Sequence, residues 1–180
     1  MCDITKAKAL LNCKNAVAGM KNIFIVNYED YNIGTSSTDA GHVLTDLGTI
    51  SNAFKYALKN TANTFDQTIA SSRDNGTTLN TQTLNFTLTK LSKQMEFQIK
   101  VLAWGRPLIF VELNDGNVFL MGIEHGCEIT GNSTVGGSLD GLQGYTMTAV
   151  GTERDPIFYL EAAEITALRL LAEGNPNVED

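Results

Sequence analysis

Residues 77–122 read TTLNTQTLNFTLTKLSKQMEFQIKVLAWGRPLIFVELNDGNVFLMG, and the fold turns on where that run changes period. Leu84, Phe86 and Leu88 alternate with Thr83, Asn85 and Thr87, the period of two that belongs to a strand with one apolar face. From Leu91 the spacing becomes helical, through Met95, Ile99 and Leu102. Ser92 is a good N-cap, and Gly105 and Pro107 end the pattern, so a helix is predicted from about Ser92 to Ala103. Leu108-Ile109-Phe110-Val111 then reads as a buried strand, reversed at Asn114-Asp115-Gly116-Asn117 into Val118-Phe119-Leu120-Met121. The segment is a strand, a helix and a hairpin.

Working outward, Ile23-Phe24-Ile25-Val26 is a continuous apolar run that predicts a strand buried on both faces, at the centre of a sheet. Residues 33–51 are rich in Gly, Thr, Ser and Asp and read as a long loop with one short strand around Val43-Leu44. Phe54 and Tyr56 alternate with Lys55, and Phe65, Gln67 and Ile69 continue the alternation beyond Asn60–Asn63. These two runs are predicted to pair as a hairpin and, after the turn at Asp74-Asn75-Gly76, to join Thr77–Leu88 in a three-stranded meander. A strand begins at Glu128-Ile129-Thr130, the stretch from Gly131 to Gly144 reads as a glycine-rich loop, and Tyr145 to Val150 alternate as a last long strand. Ile165, Leu168 and Leu171 predict a second helix over Glu161–Glu173. The fold class that follows is mainly β (α+β), an antiparallel sandwich or barrel of about eight strands with a flanking helix and a C-terminal helix. Residues 1–158 form its β domain with an N-terminal arm, and 159–180 an acidic helix and tail.

The 180 residues suit one domain that buries roughly 70% of its unfolded surface. Cys2, Cys13 and Cys127 are widely spaced and odd in number, which fits neither a zinc site nor a disulfide framework and favours a reducing compartment. No apolar run reaches the ~18 residues of a membrane span, so no membrane partner is expected. A net charge of −7 argues against binding nucleic acid by neutralising phosphates, though an acidic surface can line a path along which DNA slides. Catalytic chemistry needs a nucleophile, a base and a group that orients the base. His125 and Cys127 share a face if both lie on one strand, but no orienting acid is identifiable, and His42 reads as a solvated loop residue. The glycines from Gly131 to Gly144 lack the Lys-Ser/Thr ending of a phosphate loop. Trp104 is expected to plug the helix end against the sheet. No catalytic, cofactor or metal residues are assigned. The candidate contacts with neighbours are apolar: Leu10 and Leu11 in the arm, Val43 and Leu44 in the loop, and Ile165, Leu168 and Leu171 on the C-terminal helix.

Several motifs occur in a fixed order: Leu11-Asn12-Cys13-Lys14, Ala18-Gly19-Met20-Lys21, Ala53-Phe54-Lys55-Tyr56 and Leu102-Ala103-Trp104-Gly105-Arg106-Pro107. Asn114-Asp115-Gly116-Asn117, Gly122-Ile123-Glu124-His125-Gly126, Leu142-Gln143-Gly144-Tyr145 and Gly151-Thr152-Glu153 follow. This order resembles that of small virion proteins of bacteriophages infecting gut Bacteroidales, including the crAss-like phages, over most of residues 8–158. The resemblance implies a tail-tube-like fold assembled as a homo-oligomeric ring of the tail or head-to-tail connector. Its partners would be identical subunits, neighbouring ring proteins and the portal, with genomic DNA passing transiently through the lumen. The protein would be made in the host bacterial cytoplasm and reside in the virion. The alternatives are a capsid-associated or cargo virion protein and, further off, a β-fold hydrolase using Cys127 or His125, or a carbohydrate-binding β domain.

Overall fold

A computed structural model describes residues 7–8, 17–31, 37–38, 42–59 and 62–175, with backbone alone at 37–38. Among them are eleven strands in two sheets and two α-helices, so the chain is mainly β, as its alternation predicts, with more strands than the eight expected. The strands are β1 (Met20–Val26), β2 (Ser37–Thr38), β3 (Val43–Asp46), β4 (Phe54–Ala57), β5 (Thr64–Ser72), β6 (Thr77–Thr89), β7 (Leu108–Leu113), β8 (Val118–Met121), β9 (Cys127–Val135), β10 (Gln143–Glu153) and β11 (Phe158–Leu160). The helices are α1 (Lys93–Trp104) and α2 (Ala162–Glu173).

The larger sheet has the order β2-β3-β11-β8-β7-β1-β4 and the smaller β5-β6-β10-β9. Alternation sends the two faces of the larger sheet into two cores. Ile23 and Ile25 of β1, Ile109 and Val111 of β7, and Phe119 and Met121 of β8 face the smaller sheet. There they meet Leu84 and Phe86 of β6, Ile129 of β9, and Tyr145, Met147 and Ala149 of β10. The intervening residues Phe24, Val26, Leu108, Phe110, Val118 and Leu120 point the other way, onto Ile165, Leu168 and Ala172 of α2 and onto Leu44, Leu47 and Ile50. The result is three layers, with the larger sheet in the middle. That is why its strands read as unbroken apolar runs, while those of the smaller sheet alternate.

Several expectations are corrected. β1 lies second from an edge of its sheet, not at the centre. β4 pairs with β1, whereas β5 pairs with β6 in the other sheet, so no hairpin joins β4 to β5 and the meander has two strands, not three. The glycine-rich stretch begins as strand, since β9 continues through Gly131 to Val135 and the loop is confined to residues 136–142. A boundary after residue 158 falls inside β11, which lies between β3 and β8, and α2 packs on the same sheet. Among the described residues the C-terminal helix therefore belongs to the domain.

α1 runs along one flank of the sandwich. Ser92 caps it, accepting a hydrogen bond from the Met95 N–H at 3.1 Å, and the Tyr145 hydroxyl holds Ser92 in place through its backbone. Met95 is buried and Leu91, Ile99 and Leu102 pack against the inner core, the side that was predicted to cover the sheet.

Candidate functional site

The residues singled out in the sequence do not gather into a catalytic centre. Cys127 is buried between the sheets, where burial and then the negative charge of Glu153 push its thiol up to about 12. His125 sits outside the core in the turn before β9, its Nδ1 3.3 Å from Glu153 Oε2. The shared face imagined for Cys127 and His125 does not exist. Glu153, fully buried, accepts the N–H groups of Glu124 (3.1 Å) and His125 (3.0 Å) and so clamps this turn. By donor type, Glu124, His125 and Glu153 can hold a divalent cation, with one ligand atom of each within 4.8 Å of the others. Both Glu153 oxygens are already engaged, however, and Arg154 lies 3.7 Å from Glu124. His42 is exposed, with its ring against Phe158 at 5.0 Å.

The apolar residues proposed to meet neighbours are mostly spent inside the chain. Leu44, Ile165 and Leu168 are buried in the outer core, and Val43 and Leu171 are half-buried beside them. Leu10 and Leu11 lie outside the described residues.

Two other surfaces remain open. The first is the outer face and edges of the smaller sheet. With Phe65, Leu84, Phe86, Ile129, Tyr145 and Met147 turned inward, the alternate positions form rows such as Thr64–Asn85–Thr148–Thr130 and Asp66–Thr83–Val150–Glu128. The Thr148 hydroxyl donates to Asn85 Oδ1 at 2.8 Å, and Asn85 Nδ2 donates to Thr64 at 3.2 Å, which fixes one row as a polar ladder. Threonine recurs at Thr68, Thr81, Thr87, Thr134, Thr146 and Thr152, and these registered positions include no Lys or Arg. β5 and β9 are the edges, nine residues each, and neither has a strand on its outer side among the described residues, although β9 is met at its start by Pro107 O, which accepts the Cys127 N–H at 2.8 Å, and at Ser133 by Glu96 of α1. Neither carries the Lys or Pro with which exposed edges are usually blunted.

The second surface is a groove of about 420 Å³ at the exit of α1. One wall is Asn27 with the 3₁₀ turn Tyr28–Asp30 that follows β1, and the other is Val101, Leu102 and Trp104 to Pro107. Trp104 does not plug the helix end: it is 76% exposed, with Lys100 Nζ 4.5 Å from its ring centroid. Arg106 lies over the Tyr28 ring at 4.9 Å, and the Tyr28 hydroxyl donates to Glu124 O at 2.5 Å. Phe97, Val101 and Trp104 are all exposed, and their spacing puts them on one stripe of α1 leading into the groove. The sequence contained that stripe, but the inward stripe of the same helix is equally apolar and masks it.

No protein-family model matches the chain, and no curated protein matches it. No helix among the described residues is long and apolar enough to cross a membrane.

Proposed function

We propose that this chain is a structural subunit of a bacteriophage virion that closes with copies of itself into a ring of the tail tube or head-to-tail connector, the genome passing through its lumen. The observation that carries the reading is the pair of open edges. The order β5-β6-β10-β9 alternates in direction, so β9 runs opposite to β5. Copies set edge to edge therefore continue one antiparallel sheet without a break, and closure removes both edges. The face such a ring turns to its lumen would carry the threonine rows with Asp66 and Glu128, hydrated and without cations to hold phosphates. A thiol hydrolase is disfavoured, because Cys127 is buried and its thiolate suppressed.

Ser133→Pro tests the edge. The Cys127 N–H donates away from β10, to Pro107 O, whereas Gly136 N–H donates to Leu142 O, so N–H groups at odd positions of β9 face the open side. Proline at Ser133 removes one of them and leaves the ladder to β10 intact; Ser133→Ala, which loses the same hydroxyl bond to Glu96 Oε1 of α1 (3.0 Å) but keeps the N–H, is the control and should still form rings. The native chain is expected to give ring particles by electron microscopy and a discrete oligomer by sedimentation, and Ser133→Pro a folded monomer. A native chain that stays a monodisperse monomer at high concentration, or a variant that still forms rings, overturns the proposal.

A further inference from the structure

We propose that the groove at the end of α1 takes the N-terminal segment, residues 1–16, of a second copy of this chain, giving a head-to-tail contact distinct from the strand edges. Apart from Ala7 and Lys8, that segment lies outside the described residues; its sequence and its point of attachment carry the argument. The segment leaves the domain at the end opposite the groove. Ala18 and Gly19 are held by Asn114, at the β7–β8 turn, through Asn114 Nδ2 to Ala18 O (3.0 Å) and Asn114 N to Gly19 O (3.1 Å). β1 then runs the height of the sheet before the groove wall begins at Asn27, a separation of roughly 23 Å at about 3.3 Å per residue. Donor and acceptor thus sit at opposite poles, which is the arrangement that joins copies in an open series.

Chemistry matches the two. Residues 1–16 hold Lys6, Lys8 and Lys14 against Asp3, net +2, so the rest of a chain of −7 carries −9. The same segment offers Ile4, Leu10 and Leu11. The groove presents acids at Glu29 and Asp30, with Arg106 stacked on Tyr28 and Lys100 on Trp104, and apolar surface at Val101 and Trp104, continued by exposed Phe97. A leucine-bearing segment fits an aromatic groove by burial of the stripe, and its +2 charge is drawn to the −9 body that carries the groove, where Glu29 and Asp30 are the acids within its reach. The contact does not require rings, since it uses neither β5 nor β9.

Val101→Cys in the full chain provides the test, because Cys2 and Cys13 already lie in the segment and Cys127 is buried. Under mild oxidation, a mixture of isotope-labelled and unlabelled copies is expected to form disulfides between copies, from residue 101 to Cys13 or Cys2. The rate should exceed at least tenfold that of a control cysteine at exposed Leu139. Trp104, the single tryptophan, reads the groove without a new cysteine. Its emission should shift to the blue as concentration rises, and Lys6→Glu, Lys8→Glu and Lys14→Glu together should abolish the shift. Bridges found only within one copy, rates equal to the control, or a shift that survives the lysine reversal each overturn the proposal. Adding Ser133→Pro to the Val101→Cys chain should leave the bridges at the level of a Ser133→Ala, Val101→Cys chain, which loses the same hydroxyl bond to Glu96 of α1, so a failure of ring closure is told apart from a failure of the groove.

Discussion

At the scale of the residue, Glu112 of β7 is a buried charge held from two sides. Its side chain is 3% exposed, Asn22 Nδ2 donates to one oxygen at 2.6 Å, and Arg169 of α2 donates to the other at 2.6 Å. Burial alone would raise this carboxyl; the hydrogen bonds from Asn22 and Arg169, with the charges of Arg169 and Lys21, outweigh it and hold the group below the usual range. A depressed folded pKa contributes stability above the unfolded value of about 4.3 and loses it as pH falls through the folded value. Arg169→Met is therefore expected to cost about 2 kcal/mol at pH 7, less than a fully buried pair because Arg169 is 45% exposed. In urea melts the deficit should shrink as pH falls below about 4; a deficit independent of pH would show that Arg169 acts by packing alone. Cys127 makes a second prediction at this scale. With its thiol pushed from 9.0 to about 12, the thiolate is roughly a thousandfold rarer, so iodoacetamide at pH 8 should leave Cys127 unmodified in the folded chain and label it after denaturation. Neither environment is legible in the sequence, where Glu112 stands 57 residues from Arg169 and 90 from Asn22.

At the scale of the element, what was legible is what local pattern determines. The two-sided run at Ile23–Val26, the alternation from Leu84 to Leu88, the Ser92 cap and the turns at Asn75-Gly76 and Asp115-Gly116 all have local physical causes, and all appear in the structure. Pairing is not local. Phe54 and Tyr56 report a strand with one buried face, but nothing in the residues reports that its partner is β1 and not β5. Gly131 looked like loop because glycine is rare within strands, yet here it makes room: a Cβ would lie 2.3 Å from Met147 Sδ across the ladder. Two substitutions probe elements directly. Ser92→Ala removes the acceptor for the Met95 N–H and should cost about 1 kcal/mol in denaturant melts without changing the slope. Gly122→Ala should cost more, because Gly122 has φ +75° and a Cβ would meet Cys127 Sγ at 2.5 Å. Cys127→Ala in the same chain should recover part of that loss, and no recovery would place the whole effect in the backbone.

At the scale of the whole molecule, the two proposed contacts differ in sign. Lateral closure brings together subunits of charge −7 and, at the β5 and β9 edges, the like-charged Asp66 and Glu128. Added salt screens that repulsion within a Debye length that shrinks from about 20 Å to about 4 Å between about 0.02 M and 0.5 M. Main-chain pairing and apolar burial are little weakened over the same range, so ring formation measured by sedimentation should strengthen several-fold. The axial contact is expected to move the other way, because it sets a +2 segment against a body of −9, whose groove holds Glu29 and Asp30 beside Arg106. Its disulfide trapping at residue 101 should slow several-fold over the same salt range. Two slopes of opposite sign, measured on one preparation, separate edge pairing from segment docking. Rings that dissolve as salt rises would mean that ion pairs, and not strand edges, hold the subunits side by side.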